Sequence, residues 1–206
     1  MPLKKLKLAA LVSGRGSNLQ AIIDSIERNE LNVHLSVVLS NTKDALALKR
    51  AEEHGIESVF INPASYPNRR EFDKIIIDKL KGMSIDLICL AGYMRILGKE
   101  FIQAYSSRII NIHPSLLPAF PGLNPQKQAI EYGVKFSGCT VHFVEEGIDS
   151  GPIILQTAVP VYDYDEEESL SQRILEQEHH LYPKAIKLIA EDKLNLNGRT
   201  VTHKKY

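Results

Sequence analysis

Strand-like apolar runs alternate with amphipathic helical segments through the first half of the chain, and that alternation leaves few folds open. The runs are "LKLAALVS" (6–13), "VHLSVVLS" (33–40), "SVFIN" (58–62), "IDLICLAG" (85–92) and "RIINIH" (108–113). Between the first four lie "SNLQAIIDSIERNE", "DALALKRAEEHG" and "RREFDKIIIDKLKGM", where apolar residues recur three or four apart, the period of a helix with one buried face. Strands joined by helices make β-α-β units, whose right-handed crossovers carry helices to both faces of a parallel sheet. The expectation is an α/β fold of three layers: an open, mainly parallel twisted sheet between helices, Rossmann-like, with ligands at the carboxyl ends of its strands.

After residue 134 the texture changes. "SGCTVHFV" and "PIILQTAVPV" are separated by the turn-rich "EEGIDSG", the pattern of a hairpin or of two neighbouring strands. "EEESLSQRILEQEHHLYPKAIKLIAED" then predicts a long helix over about 166–190, kinked near Pro183 because proline removes a helical hydrogen bond. The last stretch, "LNLNGRTVTHKKY", reads as a small terminal β excursion or loop. With 206 residues, 44% of them hydrophobic, the chain can bury a full core. We read it as one domain, 1–206, in two halves of about 1–110 and 111–206.

Composition excludes several classes of partner. Lys and Arg number 25 and are balanced by 25 Asp and Glu, so the field that draws a protein onto nucleic acid or an anionic membrane is missing. No apolar run approaches the ~20 residues that cross a bilayer. The opening "MPLKKLKLAALVSG" has a basic head and an apolar stretch but no A-x-A cleavage signal, and reads as a first strand rather than a signal peptide. Cys89 and Cys139 lie in apolar surroundings without CxxC spacing, as packing residues in a reducing compartment would; the cytoplasm is the expected location.

The first strand breaks into Ser13-Gly14-Arg15-Gly16-Ser17-Asn18 before helical periodicity resumes. Glycines permit a tight turn and close backbone approach, Ser17 or Asn18 can cap the helix, and unpaired N–H groups at its start form an anion site. A dinucleotide fingerprint would need glycine where Leu19 stands and an acidic residue closing the second strand, while a Walker A loop would need Gly-Lys-Ser/Thr. Both are missing. What remains is a cradle for a single phosphate, or a turn that only packs a helix on a sheet.

In "INIHPSLLPAFPG" Asn111 and His113 occupy alternate positions, so both side chains face the same way at a strand's carboxyl end, and Pro114 forces the chain out of the sheet. Asp149 stands in the turn "GIDSGP". A carboxylate beside a histidine favours the imidazolium, a group able to give or take a proton near neutral pH, and an asparagine amide can donate to a developing oxyanion. Together they describe acyl or formyl transfer through a tetrahedral intermediate, with the substrate supplying the nucleophile. No serine or cysteine is placed to serve as one. The blander alternatives are a structural histidine and a carboxylate that only organises its turn. As a metal site the set falls short, because Asn is a poor zinc ligand and His with Asp makes fewer than three protein ligands.

Taken with "VSGRGSNLQAII", "LAGYMRIL", "NIHPSLLPAFPGL", "GCTVHFVEEGIDSGPIILQTAVPV" and "EQEHHLYP", these pieces make nearly the whole chain resemble the folate-dependent phosphoribosylglycinamide formyltransferases of purine biosynthesis, in their small monofunctional bacterial form. The resemblance implies that Asn111 and protonated His113 stabilise a formyl oxyanion, while Asp149 orients and charges His113 and helps move the proton through water. It implies that Gly16, Ser17 and Asn18 grip the phosphate of glycinamide ribonucleotide, and that Glu178 holds its ribose hydroxyls. From the residues alone, Glu178 would read as a solvated helix charge.

For the co-substrate 10-formyltetrahydrofolate the resemblance implies Arg69, Met94, Arg95, Ile96, Leu97, Asn111, Glu145, Glu146, Gly147, Ile148 and Asp149. An apolar slot from Met94, Ile96 and Leu97, lined by backbone amides, suits the edge of a flat pterin; without the resemblance "MRIL" reads as core. The first half would bind the phosphate substrate and the second carry catalysis and folate. No metal, nucleic acid or membrane is implied, and a monomer or homodimer is expected. Two features receive no role: Asn124-Pro125-Gln126, where some members carry histidines, and Arg15, at a variable position.

Rival readings stay open. Formyltetrahydrofolate hydrolase replaces the amine with water and usually has an added N-terminal domain. Methionyl-tRNA formyltransferase carries a further C-terminal domain and needs a basic surface. A non-catalytic phosphate sensor would use the glycine corner and need neither His113 nor Asp149. Zero net charge, and a span close to that of the catalytic domain alone, are expected to favour the ribonucleotide enzyme.

Overall fold

A computed structural model describes residues 5–204; the basic head of the opening segment (1–4) and the last two residues of the terminal stretch lie outside them. Among the described residues one large sheet contains, in chain order, β1 (Leu6–Val12), β2 (Val33–Ser40), β3 (Glu57–Phe60), β4 (Leu87–Leu90), β5 (Ile109–His113), β6 (Phe136–Phe143) and β7 (Ile153–Pro160). The strands lie in the order β3-β2-β1-β4-β5-β6-β7. β1 pairs in parallel with β2 and β4, β2 with β3, and β6 with β7 in antiparallel fashion. The mainly parallel α/β expectation is borne out. Two compact units divide between Ile110 and Asn111, inside β5.

In the first unit, Leu8 to Val12 are all fully buried. Successive strand side chains point to opposite faces, so β1 must be covered on both. The helices are α1 (Ser17–Glu27), α2 (Leu46–Glu53), α3 (Arg69–Gly82) and α4 (Lys99–Ala104). α1 buries Leu19, Ile22 and Ile23, and α3 buries Phe72, Ile76, Ile77 and Leu80, the stripes their periodicity predicts. Asn68 caps α3, its side chain accepting the Glu71 N–H at 3.0 Å.

The expected cap of α1 is corrected. Neither Ser17 nor Asn18 supplies it: the N-cap is Gly16, at φ 72°, with no side-chain cap bond. A Cβ on Gly16 would lie 2.6 Å from the Cβ of Ala47. The close approach of α2 therefore demands glycine at the position a capping serine would take, and Ser17 becomes the first helical residue.

The second unit contains α5 (Pro125–Tyr132), α6 (Glu167–Ala190), β8 (Leu194–Asn197) and β9 (Thr200–His203) besides β6 and β7. The register of β6 against β7 slips between Val141 and His142, and such bulges commonly re-aim a side chain beside a site. α6 runs through Pro183 and buries Leu170, Ile174, Leu181, Tyr182, Ala185 and Ile186; that apolar stripe outweighs one lost backbone bond. Its start is braced by Arg173, which forks onto Asp165 at 2.8 and 2.8 Å and stacks over Tyr162, holding the Asp165 carboxyl well below the usual carboxylate range. The terminal stretch is the β excursion: β8 and β9 form a separate antiparallel pair, with Gly198 at φ 56° in the two-residue turn.

Cys89 and Cys139 are buried thiols. Burial, reinforced by the Glu178 carboxylate, pushes the Cys139 thiol up to about 12, which leaves it protonated and inert. Among the described residues no helix is long and apolar enough to cross a membrane.

Candidate active site

In the second unit the carboxyl end of β5 meets the loop after β7's partner strand. Asn111 and His113 are set on one face by strand alternation, and His113 Nδ1 lies 3.3 Å from Asp149 Oδ2. The structure brings together the three residues singled out from the sequence. Asp149 sits at φ 47°, beyond Gly147 at φ 118°, and its Oδ2 also accepts the Gly122 N–H at 2.8 Å. The His113 side chain is nearly buried and Asp149 is about one-sixth exposed, at 6% and 15%, so their interaction is only partly screened by water.

The chain after β5 is fastened back over this site. The Thr140 hydroxyl donates to the Ser115 carbonyl and accepts the Leu117 N–H, while the Gln156 amide donates to both Leu117 carbonyl and Thr140 hydroxyl oxygens. Phe120, at φ 53°, turns its carbonyl to His113 Nε2 at 2.9 Å. Each ring nitrogen of His113 thus faces an acceptor, an arrangement that suits the imidazolium, whose nitrogens both donate.

A fourth side chain escaped the sequence reading. His142, fully buried, lies with Nε2 3.3 Å from Asn111 Nδ2 and 3.8 Å from Asp149 Oδ1, while Nδ1 lies 2.8 Å from the Phe143 carbonyl. A carbonyl only accepts, so Nδ1 carries the hydrogen. Burial pulls the His142 pKa down, against the Phe143 bond and Asp149 and with His113; the neutral ring's Nε2 is therefore an acceptor for the Asn111 amide. That bond fixes which way the amide points and leaves its second hydrogen for another acceptor. Alternation with Thr140 along β6 was the signal available.

In the first unit, Ser13, Gly14, Arg15, Gly16, Ser17 and Asn18 line a cleft of about 230 Å³ with Ala91, Gly92 and Met94. Ser13 ties its two sides: its N–H donates to the Gly92 carbonyl at 3.0 Å and its hydroxyl accepts the Met94 N–H at 2.8 Å. Met94 and Ile96 are exposed, whereas Leu97 is buried, so an apolar slot would draw on the first two side chains. Arg95 stacks over Phe72 at 4.9 Å. Asp73 accepts the Gly98 N–H at 2.7 Å, and burial raises its carboxyl above the usual range, against that bond and against Arg69 and Arg95.

Glu145, Glu146, Gly147 and Ile148 form an exposed loop ahead of Asp149. Glu178 is buried in α6; the reading of it as a solvated charge is wrong, because it sits among the helix's inward-facing residues. No group of three His, Cys, Asp or Glu able to hold a metal occurs among the described residues.

Residues 6–186 match the Formyl transferase family. The chain belongs to the formyl transferase family. The trifunctional purine biosynthetic protein adenosine-3 of Drosophila melanogaster is 47% identical over 90% of this chain, which spans only 14% of that relative's length. Phosphoribosylglycinamide formyltransferase of Bacillus subtilis is 43% identical, with 94% of this chain and 97% of the relative covered. Among solved structures, glycinamide ribonucleotide transformylase 1 from Symbiobacterium toebii superposes with a TM-score of 0.96 at 48% identity, covering 98% of this chain and 95% of that one. A formyltetrahydrofolate deformylase from Pseudomonas syringae is a more distant neighbour, at 26% identity, a TM-score of 0.90, and 98% and 67% coverage.

Proposed function

We propose that this chain is a phosphoribosylglycinamide formyltransferase: it moves a formyl group from 10-formyltetrahydrofolate to the amine of glycinamide ribonucleotide in purine biosynthesis, releasing tetrahydrofolate. The observation that carries the chemistry is the Asp149 carboxylate, gripped by the Gly122 N–H and set against His113 Nδ1. The amine attacks the formyl carbon directly. As the carbonyl oxygen becomes negative, the free amide hydrogen of Asn111 and the Nε2–H of His113 take it, the latter giving up the Phe120 carbonyl. Asp149 holds His113 in the donating orientation and helps carry the amine's proton away through water. Fixed donors aimed at developing charge, together with alignment of two substrates, supply the rate enhancement.

The corner Gly16, Ser17 and Asn18 takes the ribonucleotide phosphate, and Glu178 its ribose hydroxyls. Folate contacts fall to Arg69, Met94, Arg95, Ile96 and Leu97, the Glu145 to Ile148 loop, and Asn111 with Asp149. Buried thiols suit the cytoplasm, and the enzyme acts as a monomer or homodimer on small molecules. His113→Ala tests the assignment: kcat should fall about 10²- to 10⁴-fold while ribonucleotide affinity by calorimetry changes little. Equal losses in both would make His113 a structural residue.

A further inference from the structure

We infer that Arg50 is a positioning residue of the glycine corner, one that acts from α2 by fixing the direction of the corner's peptide groups; the inference rests on the reading of that corner as the phosphate site. Two carbonyls of the corner are pinned to α2. The Ala47 N–H donates to the Gly14 carbonyl at 3.1 Å, and the Arg50 Nε–H donates to the Arg15 carbonyl at 3.0 Å. In a planar trans peptide the C=O and the following N–H point in opposite directions. Holding these carbonyls on α2 turns the Arg15 and Gly16 N–H groups away from it, to the side where the corner lines the cleft. Neither Ala47 nor Arg50 lines that cleft, so the guanidinium works through the Arg15–Gly16 peptide.

Arg50 is itself held. Its Nη1 donates to Gln20 Oε1 at 3.0 Å, and the Gln20 amide nitrogen donates to Asp24 Oδ1 at 2.8 Å and lies 3.1 Å from His54 Nε2, whose ring is tied to Glu27. One planar fork thus spans α1 and the corner, a geometry that the single ammonium of a lysine does not reproduce. Gly16, wedged against Ala47, removes the remaining freedom on the same side.

The test is Arg50→Met in steady-state kinetics on the full chain, with glycinamide ribonucleotide and 10-formyltetrahydrofolate varied in turn. Loss of the charge-assisted hydrogen bond to the Arg15 carbonyl predicts a rise of about tenfold in KM for the ribonucleotide, with kcat and folate KM within about twofold of native. The tenfold ratio should persist between about 0.05 and 0.5 M KCl, because a peptide's direction is not screened whereas an exposed charge is. An unchanged ribonucleotide KM, a ratio that collapses toward one in high salt, or equal losses in kcat and folate KM would each overturn the inference. Should Arg50→Met fail to fold, Gln20→Leu, which takes away the guanidinium's second anchor together with the amide's contacts to Asp24 and His54, should raise the same KM about threefold, and no rise would be decisive against it. If the native chain shows no turnover with the ribonucleotide, the functional reading fails and takes this inference with it; turnover without an Arg50 effect refutes the inference alone.

Discussion

At the scale of residues, the candidate chemistry depends on the protonation and aim of four side chains. Asn111 can present a hydrogen to an oxyanion because neutral His142 holds its other one, so Asn111→Ala should lower kcat about 10²- to 10³-fold, as measured under saturating substrates. His142 also carries a stability signature. Burial places its native pKa below the value of about 6.5 it regains on unfolding, so the unfolded chain binds the extra proton. Its contribution is intact above that pH and is lost as pH falls below it. Urea midpoints at about pH 7.5 and pH 5.5 should therefore show a larger acid loss for the native protein than for His142→Gln; equal losses would contradict the neutral, buried ring. Asn111 and His113 were legible in the sequence because strand alternation sets them on one face and Pro114 marks the strand's end. Asp149, a carboxylate in a turn, was set beside His113 as an expectation, but no local spacing fixed the 3.3 Å between them. His142 was legible only as a strand residue two places from Thr140, because no spacing along the chain ties it to Asn111, 31 residues earlier.

At the scale of elements, long periodic segments announced themselves: α1, α3 and α6 fall within a few residues of the ranges their apolar spacing predicts. The six-residue α4 and eight-residue α5 did not, for one or two buried residues are too few to display a helical period. The chain from Ser115 to Gly122 was equally opaque, because Thr140 and Gln156, far along the chain, decide its course. The corner's conformation gives a sharp contrast between two glycines separated by Arg15. Gly16→Ala must adopt a left-handed conformation and meet Ala47 at 2.6 Å, and should cost about 2 to 5 kcal/mol in urea unfolding. Gly14 has a clear surround within 4 Å and no positive φ, so Gly14→Ala should leave stability unchanged or raise it by up to about 1 kcal/mol. Similar effects at both sites would mean that α2 does not press on the corner.

At the scale of the whole molecule, the parallel α/β architecture follows from strands buried on both faces and joined through helices, and it was readable from periodicity alone. The fold leaves the function open, since a deformylase neighbour superposes at a TM-score of 0.90. Transfer to an amine and transfer to water share the oxyanion and the histidine; they differ in what must be bound before the formyl group leaves. The decisive measurement is folate absorbance in a mixture of purified protein and 10-formyltetrahydrofolate, recorded with and without glycinamide ribonucleotide. Tetrahydrofolate should form only when the ribonucleotide is present, in equal amount with formylglycinamide ribonucleotide. Release of tetrahydrofolate and free formate without it, or no reaction with both substrates, would contradict the account.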